Sequence, residues 1–148
     1  MQPRRRVAVK RSGRLGMVAG ACAAGTLALA APAMAAGPHA SVKPNINLKN
    51  GQVVKVTFGG YKAGGTVYGL QCSKHVKVAA DAAFCDTKVS DVKVAKANAK
   101  GGGSFSFTVH TGKIGKGQCM PISTNCVIAV AAQTTPPMIS NASIHFHK

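Results

Sequence analysis

Tryptophan and glutamate are absent from the 148 residues, and acid is confined to Asp81, Asp86 and Asp91. Each absence removes a class of chemistry. Glycoside cleavage needs two carboxylates around one bond, and nucleophilic hydrolysis needs a nucleophile with its base. Asp81 and Asp86 flank Cys85 so closely that they read as solvated turn residues instead. No glycine cluster opens a helix, so there is no phosphate-cradling loop. No segment keeps a helical apolar repeat over three turns, and no internal repeat is present. His110 follows a strand end and reads as a surface residue. His145 and His147 share one face of the last predicted strand, too few ligands for a metal site at a chain end. The expectation is a protein that is not an enzyme and holds no metal.

What is present divides near residue 36. Arg4, Arg5, Arg6, Lys10, Arg11 and Arg14 crowd the first fourteen positions, and residues 15–36 carry no charge. That run closes on Ala33-Met34-Ala35, completing the basic, apolar, small-residue order of a secretory signal. A membrane anchor is the competing reading, but the run is mostly Ala and Gly and is broken by Pro32. Cys22 lacks the leucine three residues before it that lipid attachment favours, and Arg4-Arg5-Arg6 hints at twin-arginine export. The expected organisation is a signal peptide over 1–35 and one domain over 36–148. The 113 residues left after removing 35 would bury roughly 65% of the surface their unfolded chain exposes.

Cys72, Cys85, Cys119 and Cys126 remain in that domain, an even number in an exported chain, so two disulfides are expected. Of the three connectivities, the local one (Cys72 with Cys85, Cys119 with Cys126) is the simplest, each bridge stabilising by about 2–3 kcal/mol. A zinc site would want close C-x-x-C pairs, which are missing. Outside the signal every cation but histidine is lysine. Thirteen lysines against three aspartates leave a formal charge of +10. Such a surface attracts nucleic acid, teichoic or other acidic envelope polymers and anionic lipid, in a salt-dependent way. The same lysines also suit plain solubility and the guarding of sheet edges.

The strand pattern centres on residues 53–72, VVKVTFGGYKAGGTVYGLQC. Val54, Val56 and Phe58 alternate with Lys55 and Thr57, the period of a strand with one buried face. The glycines of GGYKAGG suit a turn, so 53–58 and 66–70 are expected to form a hairpin tied down by the Cys72 disulfide. Further strands are expected at 40–42, 89–94, 104–109, 127–132 and 143–146, with a small one at 75–78. Pro44, Asn50-Gly51, the glycines at 101–103 and Pro136-Pro137 punctuate them. Phe105, Phe107 and Val109 should share a face, and 127–132 is apolar throughout, as suits an inner strand. Asn141-Ala142-Ser143 fits a glycosylation sequon. The fold class is all-β: a seven-stranded antiparallel immunoglobulin-like sandwich with two local disulfides. With no tryptophan, the core lacks the Trp-on-disulfide packing of antibody domains.

The segment VVKVTFGGYKAGGTVYGLQC resembles the part of the neocarzinostatin family, the actinomycete enediyne-antibiotic apoproteins, that leads into the first disulfide cysteine. Ala97-Asn98 before a glycine turn, the alternating strand at 104–109, the close Cys119/Cys126 pair and the closing strand at 142–146 follow in matching order. The resemblance covers nearly all of residues 36–148 and implies a seven-stranded sandwich with the local pairing. It also implies a cleft beside one sheet and two loops, holding a labile DNA-cleaving chromophore without a covalent bond. By position, the cleft would be lined by Gln71, Cys72, Ser73, Lys74, Ala83, Ala129, Ala131 and Gln133. Beyond such a chromophore no cofactor is implied.

Three departures stand out. Lys74 replaces a tryptophan of the relatives, Val89 or Ser90 an aromatic, and the hairpin at 111–118 has no aromatic at all. At roughly 1–3 kcal/mol each, three lost aromatics weaken the grip on a flat polycycle by several kcal/mol. The family is also typically acidic, and this chain is basic. The resulting expectation is a secreted, extracellular, monomeric antibiotic-type carrier of a small apolar ligand. The alternative is a lysine-rich module for DNA or anionic envelope polymers.

Overall fold

The structure is a computed structural model and describes residues 36–147; the signal-peptide reading of residues 1–35 lies outside the described residues. Nine strands and one 3-10 helix follow in order: β1 (His39–Lys43), β2 (Val53–Gly59), β3 (Thr66–Cys72), the helix (Ala79–Phe84), β4 (Lys93–Lys96), β5 (Gly103–Thr108), β6 (Gly112–Ile114), β7 (Gly117–Cys119), β8 (Val127–Ala132) and β9 (Met138–Ser143). A three-stranded sheet, β1-β2-β5, faces a four-stranded one, β4-β3-β8-β9. All pairings within them are antiparallel. The sandwich therefore has the seven strands expected. The count among the described residues is nine because β6 and β7 form a separate ribbon, turned at Gly115 with φ 55°. Among the described residues no helix is long and apolar enough to cross a membrane.

The pleat explains the core. Val54, Val56 and Phe58 point inward from β2, Phe107 from β5, Val67 from β3 and Ile128 and Val130 from β8, all nearly sealed from solvent. Phenylalanine takes the place of tryptophan. Phe58, Phe105 and Phe107 form a chain with ring centroids 6.0 and 6.4 Å apart, and Tyr61 meets Phe58 edge-on at 5.8 Å. Gly69 is required here: a Cβ on it would run into the Phe105 ring.

The expected hairpin between residues 53–58 and 66–70 does not form. β2 pairs with β1 and β5, and β3 pairs with β4 and β8, so the chain crosses from one sheet to the other between them. Tyr61 is the physical reason. It turns into the core instead of outward, and its hydroxyl donates to the Val130 carbonyl at 2.7 Å across the sandwich. With that hydrogen spent, the Ser140 hydroxyl, also 2.7 Å away, is left to donate to it. Gly60 and Gly64, with φ 77° and 70°, let the chain turn on either side.

Three smaller expectations are also corrected. Residues 75–78 form no strand, and β4 begins only at Lys93, because the Lys88 carbonyl accepts from Asp91 and Val92 at 2.9 and 3.2 Å and closes a turn. The last strand is Met138–Ser143, not 143–146. Ile144 and Phe146 still face inward, but residues 145–147 leave β8 and bond to Asn45 and Leu48 instead.

Candidate ligand cleft

On the four-stranded sheet the register sets two kinds of row. Gln71, Ile128 and Ala142 align and point into the sandwich, whereas Leu70, Ala129 and Asn141 align and point outward, as do Tyr68, Ala131 and Ile139. Apart from Asn141 and the Tyr68 hydroxyl the outward rows are apolar, and they are partly covered: Ala129 is buried, Leu70, Ala131 and Ile139 half-buried. Residues 73–85 leave β3, arch over the sheet and return through the Cys72–Cys85 disulfide. Beneath this arm lies a cavity of about 190 Å³, walled by Leu70, Val76, Ala79, Ala82, Cys85, Ala129, Ala131 and Ile139 and rimmed by Gln133 and Pro137. Its walls are aliphatic, with no aromatic among them.

Several polar contacts hold the arm down. Asn141 projects from β9, accepts from the Val76 N–H at 2.9 Å and donates to the Val76 carbonyl at 2.8 Å. At the hinge, the Ser73 N–H and hydroxyl both donate to the Phe84 carbonyl, at 2.9 and 3.0 Å. Asp81 receives the Lys77 and Val78 N–H groups at 2.9 and 3.3 Å, closing the start of the 3-10 helix. Its other oxygen meets the Lys74 ammonium at 2.8 Å, and that ammonium sits 4.1 Å from the Phe84 ring centroid. The Lys74 hydrogen bond, helped by the Lys77 and Val78 N–H groups, lowers the Asp81 pKa to about 2. Asp81 is thus a helix cap and ion-pair partner, a more specific role than the solvated turn its sequence context suggests. The second disulfide, Cys119–Cys126, joins the ribbon to β8, and the ribbon turn reaches the arm where Lys116 N–H donates to the Ala83 carbonyl at 2.8 Å.

The eight expected cleft residues are divided by this geometry. Ala129, Ala131 and Gln133 line the cavity, and Cys72 contributes through its bridge to Cys85. Gln71 does not: the pleat turns it inward, where it donates to the His110 carbonyl at 2.6 Å and accepts from the His110 N–H at 2.8 Å. His110, expected at the surface, is therefore half-buried and tied to the opposite sheet. Ser73 and Lys74 act within the arm. Ala83 and Ala82 are both exposed, and of the two it is Ala82 that lines the cavity. Leu70 and Ile139 line it as well, on the outward side that strand alternation sets opposite Gln71 and Ala142. Val76 and Ala79 carried no such signal, because Val76 lies in irregular chain and Ala79 opens a 3-10 turn, neither of which has a strand or α-helical period. Among the described residues no group of three or more His, Cys, Asp or Glu side chains is placed to hold a metal.

Comparison with known proteins agrees with this architecture. Macromomycin aligns with a TM-score of 0.53 at 19% identity, covering 73% of this chain and 99% of its own. Apokedarcidin, known from its solution conformation, aligns with a TM-score of 0.49 at 24% identity, covering 75% of this chain and 99% of its own. No curated sequence matches the chain. The model of the neocarzinostatin family matches residues 40–146, nearly the whole described domain. The chain belongs to the neocarzinostatin family.

Proposed function

We propose that the protein is an exported, non-enzymatic carrier that shelters a small, largely apolar molecule, of the antibiotic-chromophore kind, beneath the arm of residues 73–85. The observation that carries this reading is the cavity itself. It is an apolar recess over the outward face of β3, β8 and β9, partly roofed by an arm whose backbone is pinned at Val76. Family membership supports a carrier role, and two disulfides suit an oxidising compartment outside the cell.

The dimensions restrict the ligand. Pockets for drug-sized molecules run to roughly 300–1,000 Å³. At about 190 Å³, this one takes a compact group or the apolar end of something larger. Aliphatic walls grip by excluded water and shape, at about 25 cal/mol per Å² of apolar surface covered, and contribute no ring stacking. Lys74, standing where relatives have tryptophan, is committed to Asp81 and Phe84 and adds no wall.

Native mass spectrometry of protein secreted by its own host tests the reading. A co-purifying small molecule, released on unfolding, is the expected result. The bare mass of the two-disulfide domain at every growth phase would overturn it.

A further inference from the structure

We propose that the outward face of the β1-β2-β5 sheet is a docking surface for a polyol-phosphate polymer. The proposal is independent of the carrier reading, since the face lies on the other sheet from the apolar cavity. The register places Lys43, Lys55 and Ser106 in one row across the three strands, and Ser41, Thr57 and Ser104 in the next. All six side chains are exposed.

Two features of this face resist the explanation that lysines merely protect and solubilise. Edge strands need a charge to prevent pairing with another sheet, yet Lys55 stands on β2, the central strand, whose edges are both occupied. It also stands directly opposite Lys43, and like charges in that position destabilise a sheet. No acid stands in either row. Asp81 is paired with Lys74, and Asp81, Asp86 and Asp91 all fall between β3 and β4, two strands of the other sheet. The Lys43–Lys55–Ser106 row and the hydroxyl row beside it therefore carry charge of one sign, and Asp91 reaches this sheet at Thr108, where β5 ends. An anionic polymer that also carries hydroxyls satisfies both: phosphates meet Lys43 and Lys55, and polyol hydroxyls meet the serine and threonine row.

Nucleic acid fits the face less well. Single strands are held by bases stacked on aromatic side chains, and Phe58, Phe105 and Phe107 point away, toward the sandwich interior. Reading a duplex takes a helix or two-stranded ribbon in the major groove, whereas this is a broad three-stranded surface.

The test compares binding of poly(glycerol phosphate), an uncharged polyol of equal length and duplex DNA, across a salt series. The protein is compared with a Lys43→Gln/Lys55→Gln variant and with a Lys88→Gln/Lys113→Gln control. The control removes the same charge at the recess beside Cys85. Because these side chains are exposed, thermal melts should confirm that each variant folds. We expect the first variant to bind the polymer about tenfold more weakly at low salt. Its salt slope should be shallower by roughly 1.4, near 0.7 for each phosphate contact on a flexible strand. The control should stay close to the parent. Equal weakening in both variants, equal binding of the uncharged polyol, tighter binding of DNA per phosphate, or no binding at low salt would each overturn the proposal.

Discussion

The Asn141 carboxamide exchanges two hydrogen bonds with the backbone of Val76, 65 positions earlier, at 2.9 and 2.8 Å. A strand side chain here does the work of a missing neighbouring strand, satisfying both backbone groups of a residue in the covering arm. That use of Asn141 explains why the sequon it heads is not simply a surface feature: the side chain is half-buried and occupied. Replacing it with leucine, similar in size but unable to hydrogen-bond, leaves the Val76 N–H and carbonyl unpaired. The expected cost is about 1–3 kcal/mol in urea unfolding, with faster amide exchange at Val76. Unchanged exchange there would show that the arm is held by other contacts.

Filling the cavity should separate binding from folding. Ala131 is half-buried on the outward row beside Ile139, so leucine at that position projects into the cavity without touching the sandwich interior. Ala131→Leu is expected to lose any co-purifying ligand in native mass spectra. Its melting temperature should indicate a stability change below about 1.5 kcal/mol.

Tyr61 links the two sheets through its hydroxyl, and burial, partly offset by the Ser140 hydrogen bond, raises its pKa above the ordinary 10.0. In the unfolded chain the phenol ionises near that ordinary value, while in the fold it stays neutral to higher pH. Its contribution is therefore complete below about pH 10 and declines as pH rises beyond it. Tyr61→Phe should cost about 1–2 kcal/mol at neutral pH and flatten that alkaline decline, as measured by denaturant unfolding at several pH values.

Asp81 works in the opposite sense. Its folded pKa of about 2 lies below the ordinary 3.8, so the stabilisation it provides is present above the latter and is lost as pH falls toward the former. A carboxyl titration followed by NMR should show a midpoint near 2, rising toward the ordinary value in Lys74→Gln. A midpoint unmoved by that substitution would remove Lys74 as the cause.

The two bridges should differ in what they restrain. Replacing Cys72 and Cys85, 13 positions apart, by alanine is expected to cost about 3 kcal/mol and to release amide protection throughout residues 73–85. Replacing Cys119 and Cys126, 7 apart, closes a shorter loop and should cost somewhat less, leaving protection in that arm intact. Urea unfolding with exchange read by mass spectrometry distinguishes the two.

Much of the sandwich was legible from local pattern. Alternation in VVKVTF and SFSFTV named the inward faces of β2 and β5, and the unbroken VIAVAA run named an inner strand; burial reproduces all three. The hairpin reading of residues 53–72 failed because glycines permit a turn without saying where it leads. The buried Tyr61 hydroxyl, bonded to Val130, makes that turn a passage between sheets. Of the positions carried over by resemblance, those on β8, Ala129 and Ala131, line the cavity, because a regular strand preserves register. Ala83 lies in the 3-10 turn, where its neighbour Ala82 is the one that lines the cavity.

Composition and periodicity alone determined an all-strand domain with four sulfurs to pair and a lysine excess, because strand alternation and charge are properties of neighbouring residues. Which sheet each strand joins, the inward turn of Gln71 onto His110 and the roofing of Ala129 by the arm were decided by the tertiary structure. Those depend on contacts between residues far apart in the chain, whose closing cost and packing gain no local window contains.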